Sequence, residues 1–377
     1  MKLFQAALRA SGQQRAAVVS YVDFLRGQVD LAPLFERLAQ NRGIFRIESP
    51  GEDFEVERLL IARGAPATDD VAAPSAMRLR SDPGRIRYPR QWLAGFSHTL
   101  DEIQTQLQLL PGLAVQNHPD AIRTLFDKTR CHAHLLAQGV AVPRALLSIH
   151  SYDQLLESMR GAQLSRVFVK LNGGSSSSGV VALSTTGPRP LGLTSLELVR
   201  QRGTARFYNN LRLRHYDRER DLRTILDFLL GQGAHVEEWL PKASQADRNF
   251  DLRVVTFAGQ ACHMVVRTSR SPLTNLHLGN RRGDLASLRQ SAGARWKIVP
   301  QLCEQAAAAF PAALYVGWDL LVTPGFRRAV ILEGNAFGDL LPGVEHHSRS
   351  TYQQAIASSL TTNLAANICV KNAKGSS

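Results

Sequence analysis

Cysteine is scarce. Cys131, Cys262, Cys303 and Cys369 are the only four in 377 residues, with no CxxC and no paired spacing. That pattern excludes a disulfide framework and a zinc ribbon, and it fits a reduced, cytoplasmic protein. Long apolar runs are missing as well. The best stretch, Ala306 to Val316, contains Pro311 and is followed by Asp319, well short of the roughly 18 apolar residues a membrane span needs. The opening MKLFQAALRASGQQR has no apolar core for a signal peptide. Aromatics are only 7%, so stacking platforms for single-stranded nucleic acid are few. No HExxH, GxSxG, GxGxxG or GxxxxGK[ST] occurs, no zinc-finger spacing and no internal repeat.

What is present is basic and globular. Lys and Arg number 45 against 32 Asp and Glu, a net charge of +13 that favours anionic partners at long range and says nothing about fold. With 44% hydrophobic and 20% charged positions the chain is neither disordered nor fibrous. At about 150 residues per domain its length suggests two or three folding units.

The first segment reads as α/β. Residues 15–21, with Val18 and Val19, suit a buried strand, and 31–38 repeats its apolar residues at helical spacing. Ile44 to Ile47 is a second strand, and Phe54 to Ala62 a helix stopped at Gly64. Strand, helix, strand, helix implies a small parallel sheet. Residues 65–90 form a basic connector carrying Arg78, Arg80, Arg85, Arg87 and Arg90. A helix capped by Asp120 runs to Gly139, and another starts at Ser151. Residues 371–377 are a polar tail.

Four elements carry chemistry. Strands ending at Lys170 and beginning at Val180 flank a Gly/Ser loop, Asn172 to Gly179. A hairpin turns in about two to five residues, so the surplus is either a flexible linker or a flap of N–H and hydroxyl donors suited to polyphosphate. Ala234 to Leu240, closed by Pro241, reads as an edge strand whose free backbone can bond an adenine while Glu238 reaches a ribose hydroxyl. Asp251 to Arg267 is a hairpin turning near Gly259. It puts Asp251 and Arg253 on one face with Arg267 opposite Asp251. That is a cross-strand ion pair or a site for anionic transition-state charge. Gly317 to Asn335 is a second hairpin that brings Asp319 opposite Glu333, with Asn335 on the same side. Burying two carboxylates together is costly without a cation. These hard oxygen donors, too few for a cage, suit Mg²⁺ (or Mn²⁺) shared with phosphates. The bland alternative is a surface carboxylate pair. His132 and His134, two apart on a helix, make no metal pair.

In this order the elements resemble the ATP-grasp superfamily, in particular its RimK-like and glutathione-synthetase-like carboxylate–amine ligases. The resemblance covers roughly residues 121–345. Lys128 looks like the first nucleotide lysine and Lys170 the second. The flap includes Gly173, Gly174, Ser175, Ser176 and Gly179, and Glu237, Glu238, Trp239 and Leu240 stand at the adenine hinge. Asp251-Leu-Arg253 is similar to the family's Asp-Ile-Arg segment, and Arg267 followed by Thr274-Asn275-Leu-His-Leu-Gly279 resembles the RimK-type stretch. Asp319 and the Glu333-x-Asn335 pair match the magnesium ligands. Asn280 departs from the family's further glycine, and the Arg-rich stretch 187–231 is longer than simple members need.

The resemblance implies an α/β ATP-grasp fold divided into an N-terminal domain (1–120), a small lid subdomain (121–190), a large subdomain (191–368) and a tail (369–377). It implies an ADP-forming ligase using ATP and Mg²⁺. Lys128, Lys170, the flap, the hinge, Asp251 and Asn275 would bind nucleotide, and Asp319, Glu333 and Asn335 would hold metal. Arg267, then Arg253, would stabilise the reacting centre. The substrates would be a carboxylate and an amine acceptor, small molecule or peptide, of acidic character, and a homodimer is compatible. A kinase on the same scaffold and a basic RNA-binding module using residues 78–90 and 202–223 remain the alternatives.

Overall fold

The computed structural model describes residues 2–110, 112–174, 178–337 and 341–373. The N-terminal unit comprises α1 (Lys2–Ala10), α2 (Tyr21–Leu25), α3 (Ala32–Gln40), β1 (Ile44–Phe45), α4 (Phe54–Gly64), α5 (Ala73–Ala76), α6 (Pro89–Gln108) and β2 (Ala114–Val115). Its parallel sheet is minimal: β1 pairs with β2 and nothing else. The strand expected at 15–21 is irregular chain running into α2, with Val18 and Val19 exposed. β-branched residues form a strand only where a neighbour completes the ladder, and none lies alongside. Helices α4 and α6 pack so closely that a Cβ on Gly64 or Gly95 would meet a backbone carbonyl of the other helix at 1.9 Å.

The predicted helix at 120–137 is two helices, α7 (Pro119–Phe126) and α8 (Lys128–Ala137). Asp120 is not a cap. It lies in the first turn of α7, whereas Asp127 caps α8 by accepting from the Arg130 N–H at 3.1 Å. The break places Lys128 at the start of α8, beside the flap. Next come β3 (Ala145–Leu146), α9 (Tyr152–Gly161), β4 (Arg166–Leu171), β5 (Val180–Ser184), β6 (Leu191–Gln201), β7 (Thr204–Tyr216), α10 (Glu219–Gly231) and β8 (Ala234–Glu238). The strands form one six-stranded sheet in the order β3-β8-β4-β5-β6-β7. The expected division at residue 190 falls inside this sheet, between β5 and β6. One face buries Val167, Val169, Val181 and Leu183 against α9 and α10. Period-2 alternation turns Phe168, Lys170, Val180 and Ala182 to the other face.

The remaining elements are β9 (Ser244–Gln245), β10 (Arg248–Phe257), β11 (Gln260–Ser269), β12 (Arg281–Arg282), α11 (Leu285–Ala292), α12 (Ile298–Ala308), β13 (Tyr315–Val322), β14 (Ala329–Asn335), β15 (Glu345–His346), β16 (Arg349–Ser350) and α13 (Thr351–Ala373). A second sheet, β12-β11-β10-β13-β14, buries Leu252, Val254, Val316, Trp318 and Leu320 in the main core against α12. Asp251, Arg253 and Asp319 alternate to its other face. Among the described residues no helix is long and apolar enough to cross a membrane.

Candidate active site between the two sheets

The carboxylate hairpin comes from β13 and β14. Asp319 pairs with Glu333 and Gly317 with Asn335, and the register shifts between Asp319 and Leu320. That bulge decides the site. Ile331 faces the core, so strict alternation would send Glu333 there too. The extra residue, Leu332, restores parity: Glu333 and Asn335 face the cleft and Gly334 packs under Trp318. The Asn335 amide donates from Nδ2 to the Gly317 carbonyl at 3.1 Å, leaving Oδ1 as an acceptor.

Hairpin β10–β11 turns through Ala258 and Gly259, both with positive φ, and a register shift between Val255 and Thr256 sets Asp251 opposite Arg267, where unshifted pairing would have put Val266. Arg253 lies across from Asp319 on β13. It grips that carboxylate through Nε and, at 3.0 Å, Nη2, while Arg267 donates from Nη2 to the same Asp319 Oδ2 at 3.0 Å. Arg267 Nε donates to Asp251 Oδ1 at 2.8 Å. Asp251, Arg253, Arg267 and Asp319 are all buried.

Lys128 Nζ donates to the Gly174 carbonyl at the flap (2.5 Å) and stands 3.6 Å from Glu333 Oε2. Lys170 Nζ is 2.5 Å from Glu237 Oε1, and His235 Nε2 is 3.3 Å from Glu237 Oε2. Burial alone would raise the Glu237 carboxyl, but the Lys170 ammonium and His235 outweigh it and bring it down to about 2. Glu333 is likewise about 2: burial works upward, and Lys128, Lys170 and Arg253 overcome it.

The hinge differs from expectation. β8 is no edge strand: β3 covers its outer side, and the Glu238 N–H already donates to the Arg144 carbonyl at 2.8 Å. Glu238 and Leu240 still line the cleft. The Trp239 ring instead packs on Phe168 and Arg166, and the Trp239 backbone N–H donates to the Arg166 carbonyl at 3.2 Å.

These groups surround one cavity of about 360 Å³, of a size for a small ligand. Of the sequence-predicted residues, Lys128, Lys170, Gly174, Glu237, Glu238, Leu240, Asp251, Arg253, Arg267, Asn275, Asp319, Glu333 and Asn335 line it. Gly173, Gly179 and Trp239 are not part of the lining. Ser175 and Ser176 lie outside the described residues. Phe168 and Val180 from one sheet and Leu321 and Leu332 from the other supply apolar wall.

Lys242 and Ser49 escaped sequence reasoning, and Thr274 was named only as part of the RimK-type stretch. Lys242 and Thr274 are bonded to each other and to Asp251, and Ser49 reaches the cavity from the N-terminal unit. Lys242 follows Leu240 by two positions, and that proximity to the hinge was its one available signal. Among the described residues no group of three His, Cys, Asp or Glu side chains could by itself hold a metal ion. Two carboxylates and an amide oxygen, flanked by lysines, are hard oxygen donors of the kind a divalent ion shared with phosphate would use.

No family model and no curated protein matches the sequence. Solved structures do. D-cycloserine synthetase DcsG is 14% identical, with a TM-score of 0.54 over 95% of this chain and 93% of that one. D-alanine–D-alanine ligase from Bacillus anthracis, complexed with ATP, is 13% identical over 70% and 74% of the two chains, with a TM-score of 0.43. The ATP-grasp ligase PsnB, complexed with a phosphomimetic variant of its minimal precursor, Mg and ADP, is 16% identical over 84% and 79%, also at 0.43. The likeness to DcsG spans nearly the whole of both chains, and the fold of this protein is the ATP-grasp fold.

Proposed function

We propose that the protein is an ADP-forming carboxylate–amine ligase. One observation carries the reading: Asp319, Glu333 and Asn335 converge on a cavity that Lys128, Lys170 and Arg267 also line. Carboxylates that hold a divalent ion, two ammonium groups for polyphosphate and a guanidinium for a substrate oxyanion are the parts phosphoryl transfer to an acid requires.

In this reading Asp319, Glu333 and Asn335 hold Mg²⁺ (or Mn²⁺), which would neutralise triphosphate charge. Lys128 and Lys170 bind the phosphate oxygens, and the base lies against Leu240 between the apolar walls. A substrate carboxylate attacks the γ-phosphorus of ATP, ADP leaves, and an acylphosphate forms. An amine attacks the acyl carbon, phosphate leaves with the C–O bond, and the amine loses a proton as the amide forms. Arg267 steadies the oxyanion of both steps. Arg253 holds Asp319. Positioning and electrostatics suffice, so no side-chain nucleophile is required. The three cysteines whose surroundings are described do not supply one: burial pushes the Cys131 thiol up to about 12 and raises Cys262 and Cys303 as well.

The test is an ADP-release screen with ATP and Mg²⁺ across pools of carboxylates and amines, with mass spectrometry on each hit. A product lighter than its two substrates by one water, formed only with both present, supports the ligase. A stable phosphorylated acid formed without any amine would replace it with a kinase. No nucleotide binding in the presence of Mg²⁺ would remove both.

A further inference from the structure

Asp251 is bonded from within on both oxygens. Its Oδ1 accepts from Arg267 Nε at 2.8 Å, and its Oδ2 accepts from Lys242 Nζ at 3.2 Å and from the Thr274 hydroxyl. That hydroxyl has one hydrogen, which goes to Asp251, so it accepts from Lys242 Nζ at 2.8 Å. The result is a closed triangle of ammonium, carboxylate and hydroxyl in which Asp251 and Thr274 are buried and the Lys242 side chain is 7% exposed. Burial would push the Asp251 carboxyl up, but Arg267 and Lys242 hold it below its ordinary range, so it stays charged.

The triangle joins three parts of the site. Lys242 sits just past the hinge, and its neighbour Ala243 is tied to the Val322 carbonyl at 2.7 Å. Asp251 belongs to the central sheet. Thr274 lies between Leu273, which is buried against Phe168 and Val180 of the other sheet, and Asn275, which lines the cavity. On the opposite side Asp251 fixes one edge of the Arg267 guanidinium, and Asp319 fixes another. A planar fork held at two edges has its plane set before substrate arrives.

We propose that Asp251 and Lys242 are positioning residues that aim Arg267 and seat the segment carrying Thr274 and Asn275, and that neither is a nucleotide ligand. The inference rests on the ligase reading above. A ribose or phosphate contact from Asp251 or Lys242 would compete with the bonds that already hold both against Thr274 and Arg267. Misaiming the oxyanion group by about an ångström would cost on the order of a hundredfold in turnover while leaving nucleotide contacts in place.

The experiment uses the full-length chain with Asp251→Asn and Thr274→Val, titrated calorimetrically with the non-hydrolysable analogue AMPPNP and Mg²⁺. ADP release is measured in parallel with the responding acid–amine pair, or as slow ATP hydrolysis in its absence. Nucleotide affinity within about threefold of wild type, with ADP release down about a hundredfold for Asp251→Asn, is the expected result. Thr274→Ser should restore what Thr274→Val loses. A tenfold or greater loss of AMPPNP affinity in folded Asp251→Asn would make it a nucleotide ligand. Unchanged turnover in folded Thr274→Val would make the triangle mere packing, and that variant decides the matter if Asp251→Asn fails to fold. Wild-type protein that binds no AMPPNP overturns the ligase reading itself, a separate result.

Discussion

At Glu333 two demands meet: a carboxylate is partly withdrawn from water, and it stays ionised because Lys128, Lys170 and Arg253 surround it. Glu333→Gln keeps the shape and removes the charge. ADP release should fall by about a hundredfold or more, and the melting temperature should fall too, because the ionised carboxylate also stabilises the fold. An enzyme of full activity would take the metal role away from this residue.

The same ionisation predicts an acid limit. Glu237 and Glu333, about 2 in the folded protein, have ordinary values of 4.5. The stability they contribute is complete above 4.5 and drains away as pH falls towards 2, because the unfolded chain binds those protons first. Burial also holds His132 and His263 below the ordinary 6.5. A histidine kept neutral in the fold costs stability as pH falls below 6.5, since only the unfolded chain takes up the proton readily. The urea midpoint should therefore decline in two stages, beginning below pH 6.5 and steepening below 4.5. A flat midpoint from pH 7 to 3 would show these groups to be unperturbed.

Among the elements, the β13–β14 hairpin depends on having no side chain at Gly334. A Cβ there would lie 2.6 Å from Leu125 Cδ2 and 2.7 Å from Trp318 Cζ3. Trp318 is fully buried and its Nε1 donates to the Thr256 hydroxyl at 3.0 Å, so it cannot move aside freely. Gly334→Ala should cost about 1–3 kcal/mol in denaturant unfolding and lower ADP release, because Glu333 and Asn335 flank the displaced residue. Gly95→Ala is the contrasting case. The obstacle there is the Leu60 carbonyl at 1.9 Å, backbone that cannot rotate away, and Gly95 is not part of the cavity lining. The variant should lose stability of about the same size or more while the folded fraction keeps its nucleotide affinity.

Across the whole molecule, charge is distributed unevenly. The cavity lining carries Lys128, Lys170, Lys242, Arg253 and Arg267 against Glu237, Glu238, Asp251, Asp319 and Glu333. These balance, so the net +13 lies outside the cleft. Two arginine-bearing segments far apart in sequence meet on the outer strand of one sheet: the Ile86 N–H donates to the Phe207 carbonyl at 2.9 Å and the Asn209 N–H to the Gly84 carbonyl at 2.6 Å. Nonspecific binding of a polyanion such as RNA should fall steeply with salt and leave AMPPNP affinity unchanged. Competition between RNA and AMPPNP would place the basic surface at the cleft and support an acidic acceptor.

Local patterns located the hairpins. The turn at Gly259 put Arg267 within one residue of Asp251, and a bulge between Val255 and Thr256 makes the pairing. The Asn172–Gly179 loop was bounded by strand residues on both sides and keeps those bounds. Sheet order could not be read this way. Nothing within residues 234–238 tells that a two-residue strand from 145–146 covers them, nor that residues 15–21 have no strand beside them. Parity at Glu333 depended on a bulge, and the burial of Lys242 on two distant segments closing over it. Spacing along the chain dictates which side chains one turn can bring together. Pairing between separate strands, and the desolvation that gives a lone lysine or aspartate its role, arise only when the packed sheets exclude water.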